Sequence, residues 1–293
     1  MRTFVATLTS IDVRSLAFGR WAAFLTLALA LVAASFVPSV VLDQLAYTAS
    51  LAVFAVPSGV LLVALARLRV SRQTWRALAV AWGLLVPMGV VLNLAFADDF
   101  FTYPNAQAVT GWSVPAFDWS GLDTAHPIPL EEFAFYALGF LTMLSLYATV
   151  DAWLVPLRRR AQPSLALVAG TLEAVVAPAG LIGSAWLMAQ GAAPTYWTYL
   201  CAVPLPVTLW LWPRVRARVN GAALVTTLAL IVAASVVWEA VLAVPRGWWG
   251  YQASSMLGPR LLGLPFEAVA VWLLAPITTA VVFEALRRKE DLP

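Results

Sequence analysis

The sequence predicts an all-α integral membrane protein of about eight transmembrane helices, arranged as two parallel four-helix repeats with both termini cytoplasmic. Three observations predict this class: the apolar composition, the spacing of the apolar stretches and the placement of the basic residues. Apolar residues make up 62% of the 293 positions and charged residues only 11%. The apolar residues cluster in stretches near 19–37, 47–66, 77–97, 131–153, 164–189, 194–213, 221–243 and 261–285.

The basic residues orient these spans. Only two of the 18 lysines and arginines, Arg246 and Arg260, fall on the face opposite to the N-terminus in an eight-span topology. Cytoplasmic loops of membrane proteins carry such an excess of positive charge, so both termini are predicted to be cytoplasmic. Topology and anionic lipid headgroups therefore explain the formal net charge of +3, and no nucleic-acid partner is expected.

The scarcity of cysteine and histidine restricts the possible chemistry. Cys201 is the single cysteine and His126 the single histidine, which argues against disulfides, thiolate metal sites and His-rich metal or haem sites. The Asp98-Asp99 pair lacks the spaced second acid of the membrane prenyltransferases, and the chain has no Gly-rich nucleotide loop. We therefore expect no cofactor and no metal. The N-terminus lacks a small-residue cleavage site after an apolar core, so no cleaved signal peptide is expected. The expected location is the inner or plasma membrane of a prokaryote, which the chain would cross several times.

The two halves carry similar signals at similar positions. Pro129 and Pro265 each begin an apolar span and are each followed by glutamate. An even number of spans in each repeat keeps both copies the same way up, so we expect parallel repeats. The first repeat covers 1–153, with a long extracytoplasmic loop at 98–130, and the second covers 154–293.

The first repeat carries a pair of adjacent carboxylates, Glu131 and Glu132, at the start of a predicted span. A carboxylate at mid-bilayer costs roughly 2.5–3.5 kcal/mol, so this placement indicates proton chemistry or binding. Adjacent helical residues point about 100° apart, so one can face the bundle interior while the other meets the loop. Two carboxylates this close cannot both be ionised cheaply, and one is expected to keep its proton as a general acid. A simple capping pair is the alternative interpretation.

The second repeat carries two further candidates, Glu267 at the start of the last span and Glu239 near the end of the span before it. A carboxylate inside a span end persists only when it is buried or hydrogen-bonded. These two glutamates join the first-repeat pair as the predicted catalytic residues. Asn93 matches Glu239 in the first repeat and Asp98 is also close, so both are predicted to contact the substrate.

Two other acids have different interpretations. Glu173 lies deep in the fifth predicted span and has no counterpart in the first, so its role stays open. Glu284 flanks the basic C-terminal tail and is expected to be an ordinary interfacial charge.

Aromatic residues lie close to the acids in both repeats. Phe135 and Tyr136 follow the glutamate pair by about one helical turn. In the second repeat the aromatic residues around the loop before the last span are Trp238, Trp248, Trp249 and Tyr251. Aromatic faces stabilise a carbocation, so we predict that these six residues contact the substrate. Packing, or anchoring at the membrane interface, is the alternative.

The chain resembles the membrane-integral lycopene cyclases at Pro129-Leu130-Glu131-Glu132-Phe133-Ala134-Phe135-Tyr136. These cofactor-free enzymes occur as two small subunits in actinobacteria and as fused chains in archaea and fungi. The second copy is similar in Trp238-Glu239, Gly247-Trp248-Trp249-Gly250-Tyr251, Gly263-Leu264-Pro265 and Glu267. The resemblance covers roughly residues 80–150 and 225–285. Three departures stand out: Ala268 replaces the second glutamate of the second copy, Glu239 stands where the family has Asp, and the first copy has no Trp-Asp.

The resemblance implies proton-initiated, cofactor-free cyclisation of a linear carotenoid or isoprenoid end group, such as that of lycopene, to a β-ionone ring. Glu131 or Glu132 would protonate the terminal alkene, and Glu267 or Glu239 would remove a proton or steady the cation. The implied partners are an apolar polyene and the lipid bilayer.

Three alternatives and two questions stay open. The stretch at 258–263 is also similar to the carotenoid hydratases, and the related membrane terpene cyclases act on other isoprenoids. A proton-coupled transporter that uses the acids as relay groups is the alternative from another class. The sequence leaves the exact substrate and the oligomeric state open.

Overall fold

The computed structural model describes residues 27–28, 30–38, 41–42, 44–116, 127–153 and 195–287. Its helices are α1 (Ala46–Ser50), α2 (Ala52–Arg67), α3 (Arg72–Phe100), α4 (Leu130–Trp153), α5 (Tyr196–Ala202), α6 (Pro204–Val215), α7 (Gly221–Val237) and α8 (Phe266–Leu286). A π-helix (Trp238–Ala243) continues α7, and residues 30–38 are also helical. The strands are β1 (Phe101–Thr102), β2 (Ser113–Pro115), β3 (Pro127–Pro129), β4 (Gly250–Tyr251), β5 (Arg260–Leu261) and β6 (Leu264–Pro265).

Five helical stretches in the described part of the chain are long and apolar enough to cross a membrane: Ala46–Arg67, Arg72–Phe100, Leu130–Trp153, Gly221–Ala243 and Phe266–Leu286. The prediction of a helical, multi-pass membrane protein is thereby confirmed. The predicted span at 194–213 is present as α5 and α6, which are interrupted at Val203. The span predicted at 164–189 lies outside the described residues, and the one at 19–37 lies partly outside them.

Short strands, which the all-α prediction omits, pair the loops that follow α3 and the π-helix. β1 pairs with β4 in antiparallel register, with Phe101 opposite Tyr251. β2 pairs with β3 directly before α4, and β5 pairs with β6 directly before α8. Backbone N–H and C=O groups near a bilayer need protein partners, which explains why these loops form small ladders.

The elements follow the same order twice. A broken helix, a long helix, a strand, a 3-10 turn, a hairpin and a final helix run through 46–153 and again through 196–286. The long helices α3 and α7 begin after equivalent N-caps, Ser71 and Asn220. Each cap side chain accepts a hydrogen bond from the backbone N–H three residues further on, which satisfies a donor at the helix start.

The final helices of the two groups, α4 and α8, lie at the centre of the bundle. α4 packs against α2, α3, α7 and α8, and α8 packs against α3, α5, α6 and α7. A buried pair of hydroxyls ties each central helix to the broken helix of its own group. The Ser58 and Thr142 hydroxyls are 2.8 Å apart, and those of Thr208 and Thr278 are 2.6 Å apart.

A buried polar cluster lies at the C-terminal ends of α4 and α8. Glu284 is fully buried there, accepts a hydrogen bond from the Tyr147 phenol at 3.0 Å and pairs with Arg287 at 3.2 Å. Arg287 also pairs with Asp151 at 2.8 Å. The prediction of an ordinary interfacial charge at Glu284 is therefore wrong, because the last turns of α8 pack against α4 and exclude water.

Candidate active site

A cavity lies among α3, α4, α5, α8 and the π-helix. The space between its lining side chains, including the open mouth, is about 960 Å³. Its lining combines aromatic and aliphatic side chains with two carboxylates, Glu132 and Glu239, and includes no described lysine, arginine or histidine. The first carboxylate belongs to 46–153 and the second to 196–286, so both parts of the chain build the cavity.

Glu132 lies in the first turn of α4 with only 7% of its surface exposed. The Tyr47 phenol donates a hydrogen bond to Oε1 of Glu132 at 2.5 Å. The Asn93 side chain, fully buried in α3, lies beside the same carboxyl group. The Tyr103 phenol is also nearby: burial, with Glu132 as the second cause, raises its pKa well above the usual value. Glu132 therefore has uncharged polar neighbours, and among them Tyr47 donates a hydrogen bond to it.

Glu239 lies in the π-helix, a distortion that often occurs at functional sites. The Tyr251 phenol donates to Oε2 of Glu239 at 2.9 Å, and the Trp272 indole lies beside the carboxylate. Burial, with Glu239 as the second cause, raises the pKa of Tyr251 well above its usual value, so this phenol stays protonated and donates. Glu239 and Glu132 line the same cavity, so both carboxylates border the same space.

Glu131 and Glu267 do not line the cavity. Oε1 of Glu131 accepts hydrogen bonds from Thr48 Oγ1 at 2.6 Å and from the backbone N–H of Thr110 at 2.7 Å. Oε1 of Glu267 accepts from the backbone N–H of Leu257 at 2.5 Å. Both glutamates follow a helix-starting proline by two residues and both bind the loop that precedes their helix. The structure thus brings two of the four predicted catalytic residues together and turns the other two to the loops.

Aromatic rings from both parts of the chain form one side of the cavity. Trp238 is the centre of this cluster, with ring centroids 4.4 Å from Trp249, 5.0 Å from Phe54 and 5.3 Å from Phe135. Of the six predicted aromatic contacts, those that line the cavity are Phe135, Tyr136, Trp238, Trp249 and Tyr251. The cavity therefore presents ring faces next to two carboxylates.

The remaining predicted contacts lie outside the lining. Trp248 is fully buried and stacks on Tyr47 with ring planes 14° apart, behind the cavity wall. Asn93 lies behind Glu132. Asp98 lies half-buried near the end of α3, away from the cavity. Glu239 lies 19 residues after the N-cap Asn220, and the residue 19 positions after the equivalent N-cap Ser71 is Val90. The predicted correspondence between Glu239 and Asn93 is therefore wrong, and the two residues occupy different positions in their repeats.

Sequence reasoning missed many of the cavity residues, three tyrosines among them. Besides Tyr136 and Tyr251, the tyrosines in the lining are Tyr47, Tyr196 and Tyr199. Isolated tyrosines in apolar spans carry no pattern that separates a cavity wall from ordinary packing. Trp272 was also missed, although a signal existed: it follows Glu267 by five residues, as Tyr136 follows Glu131.

Two predicted features cannot be placed in this site. Glu173 and His126 lie outside the described residues. Within the described ranges, no group of three or more His, Cys, Asp or Glu side chains is placed to hold a metal ion.

The arrangement suits proton transfer to an apolar molecule. Two carboxylates that face one apolar cavity cannot both be ionised cheaply, so a state in which at least one of them carries a proton is favoured. In comparisons with known proteins, the chain matches no family model, no curated protein and no solved structure.

Proposed function

We propose that this chain catalyses the proton-initiated, cofactor-free cyclisation of the end group of a linear carotenoid or isoprenoid. The observation that carries the proposal is the meeting of Glu132 and Glu239, from different parts of the chain, in one cavity walled by aromatic rings. The resemblance to the membrane-integral lycopene cyclases makes lycopene the first substrate to test. The enzyme would work in the inner or plasma membrane of a prokaryote.

We also propose how the chain crosses the membrane. The chain would cross the membrane about eight times as two parallel four-helix repeats, 1–153 and 154–293, with both termini in the cytoplasm. The repeated order of elements supports this arrangement. The concentration of basic residues on one face supports the orientation.

Glu132 is the proposed proton donor. The resemblance implies a donor in the pair Glu131 and Glu132, and only Glu132 lines the cavity. The Tyr47 phenol occupies Oε1 of Glu132, so the transferable proton would reside on Oε2. Transfer of this proton to the terminal alkene breaks the C=C π bond, forms a C–H bond and leaves a carbocation on the neighbouring carbon.

Ring closure and loss of a proton complete the reaction. The π electrons of a second alkene form the ring C–C bond and move the positive charge, which the faces of Phe135, Trp238 and Trp249 would stabilise. Glu239 would then accept the proton released from the carbon next to the cation. One proton enters and one leaves, so the reaction is an isomerisation and consumes no redox partner.

The composition of the cavity supports an uncharged substrate. A prenyl diphosphate would need basic side chains or a metal ion near its phosphates, and the lining includes no described basic residue. An uncharged, apolar substrate therefore matches the aromatic and acidic lining of this cavity.

Two other outcomes follow from the same geometry. If water captures the cation, the product is a hydrated carotenoid and the chain is a hydratase. The interruptions of the broken helices at Leu51 and Val203 are features that a proton-coupled transporter also uses. A transporter would need a polar path to both faces, whereas the described cavity is mainly aromatic.

Expression in bacteria that accumulate lycopene tests the proposal, with pigments separated by chromatography and identified by mass. We expect a cyclised product of unchanged mass from the wild type. Glu132→Gln and Glu239→Gln should each abolish it. Glu131→Gln and Glu267→Gln are matched controls, because they make the same change at glutamates outside the cavity, and they should retain product in proportion to the folded protein.

The alternatives give different results in this experiment or in a separate proton-transport assay. Unchanged lycopene from a well-folded wild type rejects lycopene as the substrate, and a mass gain of one water indicates a hydratase. Full activity of both Glu132→Gln and Glu239→Gln rejects the mechanism. Movement of protons across proteoliposomes without any chemical product would favour the transporter.

A further inference from the structure

The central helices α4 and α8 contact each other through residues at equivalent positions. Counted from Pro129 and Pro265, where the two helices begin, equivalent residues differ by 136 in number. Three contacts between the helices obey this relation, and we call them the axial pairs: Met143 with Thr279, Tyr147 with Phe283 and Asp151 with Arg287. Residues on a two-fold axis contact their own equivalents, so these pairs mark a pseudo-two-fold axis between the parts of the chain.

The three axial pairs are spaced by four residues: Met143, Tyr147 and Asp151 lie on one face of α4, Thr279 and Phe283 lie on α8, and Arg287 follows α8 directly. Thr279 Oγ1 donates to Met143 Sδ at 3.9 Å, and the rings of Tyr147 and Phe283 are 5.9 Å apart in an edge-on arrangement. The Arg287 guanidinium meets the Asp151 carboxylate at 2.8 Å. All six side chains are buried, so the chemistry of each pair acts without solvent screening.

The third axial pair, Asp151 with Arg287, is the pair in which the two residues carry opposite charges. In a symmetric pairing of two first parts, an aspartate would face an aspartate at this position. In a symmetric pairing of two second parts, an arginine would face an arginine. Two buried arginines in contact would destabilise the assembly by several kcal/mol, and two buried aspartates would force one of them to take up a proton and lose its charge. The actual pairing places opposite charges together.

We infer that the axial face of α4 is built to accept the axial face of α8 and to reject a second copy of itself. The Asp151–Arg287 pair supplies this selectivity, because Asp151 is further held by the Asn220 amide at 3.0 Å and Arg287 by Glu284 at 3.2 Å. The charges are thus fixed in place on both sides. The pair ensures that the two unlike parts of the chain assemble around one cavity, and this inference does not depend on what the cavity binds.

The full-length chain allows like-with-like pairs to be tested in place. Asp151→Arg creates an arginine pair, and Arg287→Asp creates an aspartate pair beside Glu284. Each variant should lower the melting temperature of the purified, detergent-solubilised protein by about 10 °C or more. The combined variant Asp151→Arg/Arg287→Asp restores opposite charges and should recover part of that loss, incompletely because Glu284 then faces an aspartate.

A matched control makes another axial pair identical without adding charge. Met143→Thr gives two threonines at the first axial pair and should lower the melting temperature by clearly less than either charge variant. Where a single variant yields too little folded protein to melt, the recovered monodisperse fraction from size-exclusion chromatography replaces the melting temperature. The inference is overturned if the like-charge variants match the wild type, or if the combined variant is no better than the worse single variant.

Discussion

The hydrogen bond between Tyr47 and Glu132 leads to a prediction whose magnitude follows from its geometry. Tyr47→Phe removes a phenol that donates to Oε1 of Glu132 at 2.5 Å in a fully buried position. A hydrogen bond to a charged group contributes ~1.5–3 kcal/mol, and the proposed donor Glu132 becomes charged as it gives up its proton. If that energy orients the proton donor in the transition state, we expect the rate of product formation to fall by about 10- to 150-fold.

Pigment formation in lycopene-accumulating cells, normalised to folded protein, measures this effect. Tyr147→Phe is the matched control, because it removes a buried phenol hydrogen bond of the same kind, to Glu284 at 3.0 Å, far from the cavity. The control should lower the melting temperature and leave the rate per folded molecule unchanged. Equal rates per folded molecule for Tyr47→Phe and the wild type would refute the view that Tyr47 positions the donor.

Further predictions follow from the packing and the ionisation of the site. A Cβ at Gly89 would lie 2.2 Å from Cδ1 of Tyr136, so Gly89→Ala should displace that ring, destabilise the fold by ~1–3 kcal/mol in thermal melts and reduce product. Gly83→Ala, with open space around the new Cβ, should leave product unchanged and should keep or slightly raise the melting temperature. Tyr251→Phe should reduce product as Tyr47→Phe does, since Glu239 loses its phenol donor. Because burial and Glu239 raise the pKa of Tyr251, the stability from its neutral phenol is complete below pH ~10 and is lost as pH rises further. Wild type and Tyr251→Phe should therefore converge in melting temperature only in strongly alkaline buffer, and a constant difference across that range would contradict the assignment.

The adjacent glutamates Glu131 and Glu132 show which part of the candidate site a sequence pattern can predict. Glu131 and Glu132 are adjacent, and helical geometry alone predicts that one can face the interior and the other the loop. The sequence does not say which one, because that depends on the rotation of α4 about its axis. The contacts of α4 with α3 and α8 determine the rotation, and they direct Glu132 to the cavity and Glu131 to the backbone N–H of Thr110.

Ala268 shows a similar limit of sequence-based prediction in the second part of the chain. It occupies the position that corresponds to Glu132, and it is fully buried. Its single methyl group leaves the second helix start without a cavity-facing acid, so Glu239 is the acid that this part contributes to the cavity. That contribution follows from the π-helix, which no hydrophobic period in the sequence predicts.

The sequence by itself determined the helical membrane class and the residues that are costly to bury, because hydropathy and charge act through local composition. Only the tertiary structure decided which acids share a cavity, that Tyr47 and Trp272 join them, and that Glu284 is buried beside Arg287. Those outcomes depend on helix rotation and on contacts between residues more than 80 positions apart in the chain. Long-range contacts of this kind are set by the packing of whole helices, and no short stretch of sequence specifies them.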